Sequence, residues 1–156
     1  MKNIYQGLKA PFEEKVVHWR VGQMTKDGKK GSALAYIDAR DVMKRLDDVV
    51  GFENWSDDYY ETKTGRLLCT LSLNIGDGWV SKVDGAGDTN IEGVKGAISD
   101  AFKRAAVKWG IGRYLYYLPV SWVAVENRRI VSPPKLPKWA LPKPANEKVA
   151  DLSGWE

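Results

Sequence analysis

Asp84, Asp88, Glu92 and Lys95 have the types that metal-assisted phosphodiester hydrolysis needs. Carboxylates can hold a divalent cation while a lysine steers the attacking water. Their context argues against it: Asp88 and Glu92 have ordinary duties at a loop and a helix start, and two residues separate Glu92 from Lys95. Gly85-Ala86-Gly87 ahead of a helix could cradle a phosphate, but no G-x-x-x-x-G-K-[ST] run accompanies it. His18, the sole histidine, by itself supports neither a catalytic triad nor a zinc centre, and Cys69, the sole cysteine, excludes a multi-cysteine zinc site and an internal disulfide. No enzyme and no cofactor is expected. The chemistry left is charge. Lys95, Lys103, Arg104, Lys108 and Arg113 stand along one segment whose single interior acid is Asp100. Cations with so few i,i+4 acids to balance them suit a polyanion.

The elements that position these cations can be traced along the chain. The N-terminus predicts a short helix or turn interrupted at Pro11. Lys15–Met24 and Gly31–Ile37 predict two strands joined by the polar loop TKDGKK, a hairpin tipped by Lys26, Lys29 and Lys30. Asp38 is an N-cap for a helix with the apolar stripe Val42, Leu46, Val49 and Val50, stopped by Gly51. Three strands follow Trp55, the clearest being Leu67–Ile75, where Leu67, Cys69, Leu71, Leu73 and Ile75 alternate with less apolar positions. Gly76-Asp77-Gly78 turns into Trp79–Val83. Thr89 and Glu92 form a capping box that starts the long helix, which ends near Gly110-Ile111-Gly112. A last hairpin surrounds Glu126-Asn127-Arg128.

On the long helix, Val94, Ala97, Ile98, Ala101, Phe102, Ala105 and Trp109 share one broad arc, at roughly 100° per residue. Lys103 falls nearly opposite it, and Lys95 and Lys108 near its edges. Small residues along the helix would let a sheet or another subunit approach closely. A solvated basic rim on an ordinary amphipathic helix would look the same by periodicity alone. Aromatics interleave with the cations: Trp19 beside Arg20, Tyr36 at the second strand's end, and Tyr114, Tyr116 and Tyr117 after Arg113. Bases can stack on such rings without sequence readout. Most aromatic residues in a chain of this kind pack in the core.

The chain has 156 residues, with 24 Lys+Arg against 20 Asp+Glu, and a pI near 9.1. That length suits one core. Residues 38–61 hold eight acids against three bases, whereas residues 1–30 and 95–113 are basic. No run is long and apolar enough for a membrane span. The lone thiol and the lack of a hydrophobic leader predict a cytoplasmic protein. Five of the seven prolines lie between Pro133 and Pro144. The expected division is therefore a folded domain over 1–131, to which the family resemblance given below assigns single-stranded-DNA binding and annealing, and a proline-rich extended tail over 132–156, outside the core. Trp155-Glu156 in that tail is a candidate dock for a single-strand-binding or replication protein.

The segments VVHWR, ALAYIDARDVMKRLDDVVGFENW and DGAGDTNIEGVKGAISDAFKRAAVKWGIGRYLY resemble the Rad-fifty-two family of double-strand-break repair proteins, including its phage Sak-type recombinases. The resemblance covers about Pro11 to Pro119. Its specific parts are YIDARDVMKRLDDVVGFENW and KGAISDAFKRAAVKWG; the strands between them are generic. It implies an α+β fold, with an antiparallel sheet in a β-β-α-β-β-β-α core and one long helix packed on that sheet. It also implies a ring-forming homo-oligomer that anneals single-stranded DNA without ATP, in a basic groove around the ring; a helical filament is the other assembly the chain suits. A phage-encoded version would act in the bacterial host. The family's inner DNA contacts map onto Arg20, Tyr36, Lys95, Lys103 and Arg104, and Arg66 is the one clear match to an outer site. Lys30 and Lys108 join this set from the chain's own charge pattern. The loop before the long helix lacks the extra lysines of eukaryotic relatives. A strand-protecting protein without annealing activity and a Mg²⁺-dependent nuclease are the alternatives.

Overall fold

The computed structural model describes residues 2–85 and 93–144. Helix α1, Lys2–Lys9, stops ahead of Pro11, whose ring disfavours helical geometry in the residue before it. Helix α2, Ala39–Val50, begins at a reciprocal capping box, in which the Asp41 carboxylate accepts from the Asp38 N–H at 3.1 Å. It stops at Gly51, as the sequence predicts. Val42 and Leu46 are buried, and Val49 and Val50 half-buried. Helix α3, Gly93–Lys108, ends where Gly110 and Gly112 take φ of 94° and 74°. Any side chain at Gly112 would be strained there and would meet Ile37 Cδ1 at 3.0 Å. The Thr89–Glu92 capping box lies outside the described residues.

Seven strands are described: β1 His18–Met24, β2 Lys30–Tyr36, β3 Trp55–Glu61, β4 Leu67–Asn74, β5 Trp79–Gly85, β6 Trp122–Glu126 and β7 Arg129–Ile130. The sequence predicts one antiparallel sheet, and here the structure differs. The strands divide into a four-stranded sheet in the order β1-β2-β6-β7 and a three-stranded sheet in the order β3-β4-β5. The reason is the partner β2 takes on its free side. β6 pairs antiparallel with it, Lys30 opposite Ala124 and Ser32 opposite Trp122. Strand β3 then has no place beside β2 and founds a second sheet with β4, Trp55 facing Leu73 and Glu61 facing Leu67. The last hairpin is present. Asn127 and Arg128, both at positive φ (52° and 63°), form its two-residue turn.

The chain forms two compact units, Met1–Ala10 with Ala35–Pro119, and Pro11–Leu34 with Val120–Glu156. The first unit holds α1, α2, α3 and the three-stranded sheet. Its core is built from Leu8, Leu46, Leu71, Leu73, Phe102 and Ile111, each less than 3% exposed. The second unit buries Phe12, Val17, Ala33 and Val125. It also buries Leu136 and Ala140, although the sequence places the proline-rich segment outside any core. Prolines at 133, 134 and 137 keep that segment extended without preventing apolar side chains between them from packing. Residues 145–156, including Trp155, lie outside the described set.

Candidate nucleic-acid interface

Helix α3 packs on β4 and β5 and against α2. Alternation on β4 turns Cys69, Leu71 and Leu73 inward, all fully buried. Ala97, Ala101, Ala105 and Ala106 let the helix backbone approach closely, while Phe102 and Trp109 fill the remaining volume. The Trp109 indole N–H donates to Leu71 O at 3.0 Å, which fixes the end of the helix on the central strand. Two positions depart from the expected arc: Ile98 is 38% exposed, and Ala106, outside that arc, is fully buried. The helix is covered on a second side as well as on the sheet, which a single-arc pattern does not anticipate.

That second covering shapes the cationic side. Lys103, nearly opposite the sheet-facing arc, is half-buried rather than free, and its ammonium lies 5.6 Å from the Tyr36 ring centroid. A cation over an aromatic face at this distance is attracted by the ring quadrupole. Arg104 is exposed and reaches Asp100, Nε to Oδ2 at 3.3 Å, one helical turn back. With its side chain 50% exposed this pair is weak and easily exchanged for another anion. Lys108 is exposed in the last turn, where the helix dipole favours a cation. Among the described residues, neither Lys103 nor Lys108 forms an ion pair.

Arg113, counted with the helix cations by sequence, has structural work instead. Its Nε donates to Val107 O at 3.0 Å and its Nη2 to Lys108 O at 2.9 Å, satisfying carbonyls that the end of α3 leaves open. Lys82 on β5 is a cation the sequence did not single out, because it sits in a strand of ordinary alternation. Its ammonium stands 5.0 Å from the Trp109 ring centre, on the helix-facing side of the sheet.

The other predicted positions fall as follows. Arg20 on β1 and Lys30 at the start of β2 are exposed and belong to the second unit. Gly22 faces the side chains of Ser32 and Leu34, so by alternation Arg20 and Lys30 share one face of the β1–β2 ribbon. Arg66 is exposed at the base of the β3–β4 turn, where Thr62 N–H donates to its carbonyl at 2.7 Å. Lys95 is on α3, and its side chain is outside the described set, as are Asp88 and Glu92. Tyr36, Lys103, Arg104 and Lys108 thus share a unit, and two of them touch.

The opposite charge is concentrated on β3. Asp57 and Asp58 are exposed, and Asp57 accepts from the Tyr59 hydroxyl at 2.8 Å. Burial, and then that bond, push the Tyr59 phenol above its ordinary range. Burial likewise pushes the neighbouring Cys69 thiol up to about 11, so it is a protonated core residue and no nucleophile. What the α3 face can do is hold an anion without covalent chemistry. Among the described residues no helix is long and apolar enough to cross a membrane.

Comparison with known proteins gives matching results. Residues 1–67 and 63–131 match the model of the Rad52/22 family double-strand break repair protein. The chain is 42% identical over 146 residues to the single-stranded DNA-binding protein DdrA of Deinococcus deserti, covering 91% of this chain and 72% of the relative. It is 34% identical over 146 residues to the protein of the same name from Deinococcus radiodurans, covering 91% of this chain and 69% of that one. No solved structure matches.

Proposed function

Because the chain belongs to the Rad52/22 family of double-strand break repair proteins, we propose that it binds the phosphate backbone of single-stranded DNA and anneals complementary strands without ATP. The observation that carries this is the cationic side of α3. Lys103 is oriented by Tyr36, while Arg104 and Lys108 are exposed along the same helix. The names of the two relatives, both single-stranded DNA-binding proteins, support the choice of ligand.

Annealing requires strands held by their phosphates with the bases left to pair. Backbone cations supply that grip without sequence preference, and its strength falls with salt because releasing counterions into a more concentrated bulk gains less entropy. Arg20, Tyr36, Lys95, Lys103, Arg104 and Lys108 are the assigned contacts, with Lys30 and Arg66 at the margins. Assembly into a ring or filament repeats a modest site many times along one strand and converts it into avidity. The outer strands, β1 and β7 of one sheet and β3 and β5 of the other, are where such an assembly could add strand pairing. The protein acts in DNA repair and recombination as a binder, not as an enzyme, in the cytoplasm of its cell.

A fluorescence strand-pairing assay without nucleotide tests the proposal. Wild type should accelerate pairing, and the Lys103→Ala, Arg104→Ala double variant should slow it at least tenfold with the fold intact. Binding without acceleration would favour the second reading, a protein that shields single strands, which the relatives' names suit equally well. No binding at moderate salt would refute both.

A further inference from the structure

Two hairpins end side by side in the unit formed by Pro11–Leu34 and Val120–Glu156. One tip is the loop from β1 to β2, closed by Thr25 N–H donating to Lys30 O and Gly28 N–H to Thr25 O, both at 2.9 Å. The other is Asn127-Arg128, between β6 and β7. Strands β2 and β6 are antiparallel with Lys30 opposite Ala124, and Val125 N–H donates to Lys29 O at 2.9 Å. The two turns therefore project from the same end of the four-stranded sheet.

That end carries Lys26, Lys29, Lys30, Arg128 and Arg129, all exposed. Among the described residues none of the five forms an ion pair. Two acids stand with them, Asp27 and Glu126. Asp27 is occupied: it accepts from the Thr25 hydroxyl at 2.6 Å and from the Lys29 N–H at 2.9 Å. Those bonds, the Thr25 one foremost, hold its carboxyl below the usual carboxylate range. A second observation concerns the backbone. Arg128 sits at φ 63° in the second place of the β6–β7 turn, a position that glycine fills without strain. What arginine adds there is a guanidinium at the outermost point of the hairpin.

We propose that this basic end is a phosphodiester-binding site, built on elements other than α3, that grips the backbone of a nucleic-acid strand. Arg128 and Arg129 present planar forks that match phosphate oxygens, and the three lysines supply mobile point charges. The contact is sequence-independent and sensitive to salt. The site serves the class of ligand already proposed for this chain and so rests on that reading.

The test uses the full chain with Lys26→Gln, Lys29→Gln and Arg128→Gly combined. Glycine suits φ 63°, so the hairpin is not put at risk, and an unchanged or raised melting temperature checks this. Anisotropy titrations with a labelled single-stranded oligonucleotide are run from 50 to 200 mM salt. Removing three contacts should lower the slope of log K against log salt by about 2, so wild type loses about 16-fold more affinity across that range than the variant. Lys103→Ala should lower the slope separately, and the two effects should add. An unchanged slope in the folded triple variant, with wild type binding normally, overturns this site and leaves the α3 proposal standing. So does a changed sedimentation mass with an unchanged slope, which would assign the tips to the acidic β3 strand of another copy. If wild type ignores single strands, the same titration with duplex decides: a slope that falls in the triple variant keeps the site, and one that does not removes it with the rest.

Discussion

The Lys103 ammonium lies 5.6 Å from the centre of the Tyr36 ring, so the last residue of β2 orients a cation from the middle of α3. The two residues have separable roles. Lys103→Ala should remove a phosphate contact and lower the salt slope for single strands by about 0.7. Tyr36→Leu should leave the slope unchanged and weaken binding a few-fold, because a partly exposed cation–π contact is worth roughly 0.5–1 kcal/mol. Anisotropy titrations at several salt concentrations check both. Equal slopes in wild type and Lys103→Ala would remove Lys103 from the interface.

Arg45 is a structural cation. Its Nη1 donates to the carbonyls of Gly7, Leu8 and Ala10 at 3.2, 3.0 and 2.7 Å, tying the end of α1 to α2. Arg45→Ala should cost about 2–4 kcal/mol, since a part-buried charged donor and several carbonyl partners are lost together. Urea unfolding measures this, and single-strand affinity of the folded variant should be unchanged. A loss of affinity without a loss of stability would place Arg45 in the site.

Small residues set how closely α3 approaches its neighbours. Ala105 is fully buried, so Ala105→Leu should destabilise by about 1–3 kcal/mol through overpacking. The opposite change, Phe102→Ala, should cost about 3–5 kcal/mol by leaving a cavity. Thermal melts of the two variants check that this face of α3 is closely packed, and a neutral Ala105→Leu would contradict it.

Stability should fall in alkali. Cys69 has an ordinary thiol value of 9.0 and is pushed up to about 11 by burial, so the folded state prefers it protonated. Its contribution is complete below pH 9 and is lost as pH rises toward about 11, at roughly 1.4 kcal/mol per pH unit within that window. Tyr59, also held protonated, adds to the decline from its ordinary value of 10.0 upward. Cys69→Ala should flatten the curve between pH 9 and 10 and make it shallower from there to 11, where Tyr59 still contributes. An equal slope in both proteins would locate the effect elsewhere.

Local patterns carried much of the fold. Asp38 and Gly51 bound α2, the alternation from Leu67 marks β4, and Gly110 and Gly112 end α3, because caps, periods and positive φ are each settled within a few residues. The site was only partly legible. Arg113 looked like one more cation of the helix until its hydrogen bonds to Val107 and Lys108 appeared. Lys82 looked like an ordinary strand lysine until Trp109 came over it.

From the chain alone came the helix-bearing segments and the excess of lysine and arginine on α3. These depend on residue type and short spacing, which the covalent order already contains. Tertiary structure decided which strands share a sheet, which cations stand free and which are spent on carbonyls. Pairing β2 with β6 joins residues some ninety positions apart, as Ser32 opposite Trp122 shows, and no local rule encodes that partner. Side-chain availability follows from the same long-range packing, since a lysine's neighbours are chosen by the fold and not by the residues beside it in the chain.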